Sequence, residues 1–233
     1  MKELVKMSKK EVAVFVLLSI MSGLMIGIGG TASLMAIATL EQWGKLIGAM
    51  LFSLGIFAIV TYELRLFTGM VADIPKMGIK NTWKLPVCFL GNILGVGVVA
   101  FLVYYTPLSA TLVAQSEIIS ANKLGAENWA LSAFCSSILC GALITLSVWS
   151  VKYSPRKGLD ATLGVTFPII VFAFCGFDHS VANVFYFYLS GTFGWQVVGY
   201  ELICILGNIV GGVILPLVSM FREYSKKRDN KVE

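Results

Sequence analysis

The chain has 233 residues, 57% hydrophobic and only 13% charged, with a net charge of +5 and a mean hydropathy of +0.83. A soluble domain of this length carries about 25% charged residues, so the composition excludes a soluble enzyme. The basic residues gather at the chain ends and in particular loops, which excludes a nucleic-acid surface and leaves membrane lipid as the surrounding partner. Apolar runs of about 20 residues recur along the chain, and each is long enough to cross a bilayer. The expected fold class is an all-α polytopic membrane protein.

Residues 1–12 read as a short basic segment with Lys2, Lys6, Lys9 and Lys10. The apolar run Ala13–Ala38 is longer than the core of a cleaved signal, about 7–15 residues, and predicts a retained first span over Ala13–Thr39. Gly23, Gly27, Gly29 and Gly30 give that span a face on which another helix packs closely. After a short loop at Glu41–Lys45, span 2 starts near Leu46 and is interrupted by the polar stretch Tyr62–Gly69. Lys76–Lys84 is a basic loop, and span 3 runs over Leu85–Tyr105 to a stop at Pro107. Leu108–Asn128 is amphipathic. Span 4 covers Trp129–Val151, the basic loop Lys152–Asp160 follows, and span 5 covers Ala161–Leu189. The loop Ser190–Gln196 carries no charge, span 6 covers Val197–Phe221, and residues 222–233 form a basic, frayed tail. Residues 13–221 are thus one six-span domain.

Six spans leave both termini on one side. Of the 18 Lys and Arg, only Lys45 and Lys123 fall on the opposite side, and Arg65 lies within span 2. The rest occupy the tails and the loops between spans 2 and 3 and between spans 4 and 5. This positive-inside bias predicts cytoplasmic termini and a multi-pass protein of the plasma (inner) membrane.

An internal repeat is visible. Gly91-Asn92-Ile93-Leu94-Gly95 in span 3 recurs as Gly207-Asn208-Ile209-Val210-Gly211 in span 6, and Ser22-Gly23 in span 1 aligns with Cys140-Gly141 in span 4. Three spans per half is an odd number, so the halves have opposite orientation. The expected architecture is an inverted 3+3 repeat in which broken helices 2 and 5 meet near the midplane.

The second break, within Val171–Asn183, holds the only histidine, His179, beside Asp178 and just after Gly176. Ionisable groups inside a span are costly and mark function by default, which makes His179 the candidate pore centre. Asp178 either caps the helix restarting after the break or orients the imidazole. Asn183, four residues on from His179, is placed to satisfy loose carbonyls. In the first break Thr68 offers a hydroxyl and Phe67 narrows the path. Glu63 and Arg65 contribute either to an ion pair or to a substrate contact. Phe52 and Phe172 suit a dry constriction or ordinary core packing. The cysteines, Cys88, Cys135, Cys140, Cys175 and Cys204, sit in apolar segments without ligand spacing. They read as small buried hydrophobes, and no metal or other cofactor is expected.

On these motifs the sequence resembles the formate/nitrite transporter family over about Ala13–Phe221. Gly176-Phe177-Asp178-His179-Ser180-Val181-Ala182-Asn183 matches its G-F-[ED]-H-[ST]-[VI]-A-N signature. Leu66-Phe67-Thr68-Gly69 matches L-F-T-[GS], Ala121-Asn122-Lys123 resembles the stretch bearing the outer lysine, and Gly207–Gly212 matches G-N-[IV]-[VI]-G-G. The resemblance implies a homopentamer of aquaporin-like protomers, each with its own pore for a small monovalent anion such as formate, nitrite or hydrosulfide. It implies His179 as the central histidine, Thr68 as its partner across the pore and Lys123 as the attracting cation. It implies Phe52 and Phe172 at the outer constriction and Ile56, Leu66 and Phe67 at the inner; Ile144 is grouped with these constriction residues. The sequence departs from the family at Arg65, where an acid is usual, and at Gly141, where an asparagine is usual. These two, with Glu63, are the expected selectivity variants. The function expected is weak-acid anion transport with proton exchange at His179. The alternative is a neutral-solute pore of the water or glycerol type. An enzyme is not expected, because the histidine has no nucleophile partner in the sequence.

Overall fold

The computed structural model describes residues 7–153 and 158–229. Lys2, Lys6, Arg156, Lys157 and Lys231, counted above for topology, lie outside the described residues. The elements are α1 (Lys9–Thr39), α2 (Glu41–Thr61), α3 (Phe67–Met70), two 3-10 turns at Val71–Lys76 and Ile79–Asn81, α4 (Lys84–Tyr104), α5 (Ser109–Leu124), α6 (Trp129–Tyr153), α7 (Leu159–Cys175), α8 (Ser180–Leu189) and α9 (Trp195–Asp229). Among the described residues, five helices are long and apolar enough to cross a membrane. The pair α7 and α8, bent by 51° at its break, makes a sixth span. Large apolar side chains such as Leu17, Leu54, Leu94, Leu131 and Leu206 are exposed along these helices, as a lipid-facing surface requires.

Several boundaries differ from those expected on sequence. α1 starts at Lys9 because Ser8 and Glu11 form a reciprocal capping box, which satisfies two end donors before the apolar run begins. No loop occupies Glu41–Lys45: only Leu40 separates α1 from α2. The basic tail continues α9 to Asp229 rather than fraying at Arg222. The amphipathic stretch after span 3 is α5, packed against α8 and α1.

The two halves repeat as expected. α1 packs on α4 as α6 packs on α9, and both crossings are glycine contacts. A Cβ on Gly23 would collide with the backbone carbonyl of Asn92, and a Cβ on Gly141 with that of Asn208. The two helix breaks also correspond. Each begins on a residue with positive φ, Glu63 at 52° and Gly176 at 75°. Gly176 adopts this conformation freely, whereas Glu63 does so against its Cβ.

Candidate functional site

Each break is held open by one asparagine. Asn92 on α4 accepts the backbone N–H of Phe67 at 2.8 Å and donates to the carbonyls of Ser19 and Arg65, both at 2.8 Å. Asn208 on α9 accepts the N–H of Ser180 at 3.0 Å and donates to the carbonyls of Ser137 and Asp178, both at 2.9 Å. Backbone groups freed by breaking a helix inside hydrocarbon must find partners, and these two side chains supply them. On sequence, the repeated Gly-Asn pairs stand out only as a repeat. The asparagine inside each is the signal for this second role, because a fully buried amide in an apolar span needs a reason.

The breaks meet at their centre. Thr68 Oγ1 lies 2.8 Å from His179 Nε2, and both residues are buried. His179 is the N-cap of α8, and its Nδ1 accepts the backbone N–H of Ala182 at 3.1 Å. An accepting Nδ1 places the ring proton on Nε2, so the neutral imidazole donates to Thr68. The Phe172 ring stacks on the imidazole at 5.8 Å and 24°, and Phe52 meets Phe172 edge-on at 5.6 Å. Phe52, Ile56, Leu66, Phe67, Ile144 and Phe172 all belong to one buried cluster, and Phe67 lies edge-on against Phe89 of α4 at 5.1 Å.

Asp178 neither caps α8 nor orients the imidazole. Its Oδ1 pairs with Lys123 Nζ at 2.5 Å, accepts from Tyr200 OH at 2.8 Å, and accepts from Asn183 Nδ2 at 3.2 Å. Its backbone N–H donates to Ser136 Oγ at 2.9 Å. Asn183 therefore serves this carboxylate, with a further contact to Cys204 Sγ at 3.5 Å, and not loose carbonyls. Lys123 is largely withdrawn from water, its side chain 13% exposed.

Above His179 opens a vestibule of about 770 Å³ that ends on Phe52, Phe172 and the imidazole. Its charged walls are Lys45, Lys123, Glu41 and Asp178. Positive and negative groups balance there, so Lys123, the attracting cation that the resemblance implies, does not stand alone. Lys45, whose ammonium lies 5.9 Å from the Phe174 ring centre, is a wall cation that the sequence motifs do not single out.

The three expected selectivity positions are not among the residues that line the vestibule. Gly141 sits in the α6–α9 crossing rather than on the pore, since the close approach of the Asn208 backbone leaves no room for a side chain. Glu63 and Arg65 are exposed at the first break. Among the described residues they form no ion pair with each other; Lys76–Glu223 and Lys123–Asp178 are salt bridges elsewhere in the chain.

Cys88, Cys140 and Cys204 are buried as expected, but Cys135 and Cys175 are exposed and line the vestibule. Maleimide treatment of the folded protein is expected to modify Cys135 and Cys175 and spare the other three, read by peptide mass spectrometry. Equal labelling of all five would contradict this packing. Among the described residues no group of three or more His, Cys, Asp or Glu is arranged to hold a metal ion.

The chain has counterparts among known proteins. The family model described as formate/nitrite transporter matches residues 1–222. The chain belongs to the formate/nitrite transporter family. A Bacillus subtilis transporter, YrhG, is 27% identical over 93% of this chain and 87% of its own length. The formate channel FocA of Haemophilus influenzae is 28% identical over 79% of this chain and 76% of its own. A solved pentameric formate channel with formate bound superposes with a TM-score of 0.79 at 23% identity, covering 94% of this chain and 99% of that one. The fold is therefore the aquaporin-like fold of these channels. Family membership makes the chain a multi-pass membrane transporter of small anions and not an enzyme.

Proposed function

We propose that each protomer of a homopentamer carries a small monovalent weak-acid anion, formate, nitrite, hydrosulfide or a similar ion, through its own pore. The observation that carries this reading is the end of the vestibule: an apolar Phe52–Phe172 pair leading directly onto the His179–Thr68 hydrogen bond. A bare anion pays a large desolvation penalty at such a constriction. A neutral acid passes at far lower cost, and the Nε2–H of His179 with the Thr68 hydroxyl supplies hydrogen bonds to whichever form arrives. Proton exchange at His179 has a structural requirement. Nδ1 gains a proton only by releasing the Ala182 N–H, so exchange is coupled to opening the first turn of α8. Ile56, Leu66, Phe67 and Ile144 act with the two phenylalanines as the dry wall, and Lys123 acts on the anion in concert with Asp178.

In this reading residues 13–221 form the channel domain, with residues 1–12 and 222–233 as basic segments in the cytoplasm. The protein resides in the plasma (inner) membrane, surrounded by lipid. One observation favours a neutral-solute pore instead: the wall charges of the vestibule cancel, and Lys123 is already paired.

Proteoliposomes separate the two. A panel of formate, nitrite, hydrosulfide, water and glycerol is followed at two pH values. Flux of the weak acids is expected to rise at the lower pH, and His179→Ala is expected to cut it by about tenfold or more, a loss of at least about 1.4 kcal/mol of barrier stabilisation. Full weak-acid permeability in His179→Ala would sink the proposed centre, and swelling by glycerol without acid flux would establish the other reading.

A further inference from the structure

A second cavity, of about 260 Å³, lies between α4, α8 and α9 and is separate from the vestibule. Its walls include Phe89, Phe187, Val198, Leu202 and Ile205, and its single charged side chain is Glu201. Glu201 is only 8% exposed, and among the described residues neither carboxyl oxygen has a hydrogen-bond partner. Asp178, the comparable buried acid, has three. The neighbouring residues Tyr200 and Glu201 diverge: Tyr200 reaches the vestibule, and Glu201 lines this lateral pocket. The pocket opens sideways past Phe193, Val198 and Leu202, which are 70%, 47% and 56% exposed. Glu201 lies six residues into α9 from Trp195, about 9 Å along the axis, and Trp195 is 90% exposed. An exposed tryptophan at a span end marks headgroup depth.

We propose that this pocket is a binding site for a primary ammonium carried on an apolar body, with the ammonium paired to Glu201. A buried carboxylate without a hydrogen bond is costly even with the charges of Lys123 and Asp178 near enough to act on it, and a cation that hydrogen-bonds to it offsets the cost of desolvating both. Both oxygens are free to accept N–H donors, giving charge-assisted bonds. The aromatic and aliphatic walls take the apolar body. Two sources share this chemistry: the headgroup of an amine phospholipid entering from the bilayer, and a free aryl- or alkylammonium. A quaternary ammonium has no N–H to donate and is excluded on the same grounds. The site does not depend on which solute the pore carries.

The full chain, purified and placed in phosphatidylcholine nanodiscs, tests this by its thermal unfolding midpoint. Benzylammonium is titrated in one arm, benzyltrimethylammonium in a second, and phosphatidylethanolamine replaces part of the lipid in a third. A saturable rise with benzylammonium, with phosphatidylethanolamine or with both supports the site and identifies its source. Benzyltrimethylammonium is expected to give none. Glu201→Gln, nearly isosteric, is expected to raise the half-saturating concentration by about tenfold or more, the loss of one charge-assisted bond. Should that variant not fold, Leu202→Trp at the exposed rim fills the pocket and is expected to block the same rise. No rise in the unaltered protein, or an equal rise in these variants, overturns the proposal. The readout is binding and not transport, so a failure here and a failure of the weak-acid reading are distinguishable.

Discussion

Asn208→Leu is expected to dismantle the second break and abolish transport. Leucine matches the volume of asparagine approximately but leaves the Ser180 N–H and the carbonyl of Asp178 at the break without partners, and removes a second bond from the helical carbonyl of Ser137. Each buried orphan costs about 1–3 kcal/mol, and the sum is a large part of the stability of a typical domain, about 5–15 kcal/mol. Asn208→Asp keeps the acceptor for Ser180 but loses both donations, so an intermediate loss is expected. Asn92→Leu is expected to act equally on the first break, because its three bonds are the counterparts of these. Thermal unfolding in mild detergent, with formate flux in parallel, measures both effects. An Asn208→Leu protein that melts with the unaltered one would show that the break is held by other contacts.

Lys123→Met is expected to be the most damaging single change in the vestibule. It leaves Asp178, 5% exposed, with only neutral donors from Tyr200 and Asn183. Breaking a buried pair by removing one partner typically costs about 3–5 kcal/mol, while replacing both partners is often nearly neutral. The double variant Lys123→Met with Asp178→Asn is therefore expected to recover most of the stability lost. A double-mutant cycle on unfolding midpoints gives the coupling directly. If the double variant is no better than Lys123→Met alone, the pair is not the source of the stability. The same cycle on flux separates two roles. A lysine that attracts anions fails in both variants, whereas a lysine that only holds the break is dispensable once Asp178 is neutral.

Much of the architecture is legible in the sequence because the membrane imposes it. Apolar run length predicts six spans, and the repeated Gly-Asn motifs predict the inverted halves. The polar breaks at Tyr62–Gly69 and Gly176–His179 predict the meeting point. Side-chain roles are less legible, since residue type does not say which way a group turns. Asp178, expected near the imidazole or the helix end, turns instead to Lys123 and Tyr200. Gly141 reads on sequence as a missing pore side chain, yet it is the mate of Gly23 in a helix crossing, a fact visible only once the Asn208 backbone lies against it. Cys135 and Cys175 resemble core residues because their segments are apolar, but both line the vestibule. Glu201 is inconspicuous in span 6, since nothing in the linear sequence shows that its carboxyl is buried without a hydrogen-bond partner among the described residues.

The matched asparagines have a further consequence for direction. A rotation that exchanges the halves carries Asn92 onto Asn208 and the first break onto the second, so the scaffold reads the same from either face of the membrane. A palindromic passage cannot by itself tell entry from exit. Whatever rectification the transporter has must come from the positions where the palindrome fails. Counting from each asparagine-bonded N–H, Leu66 stands opposite His179 and Arg65 opposite Asp178. With Phe67 opposite Ser180 and Thr68 opposite Val181 in the same register, these mismatched pairs make one face of the passage chemically different from the other.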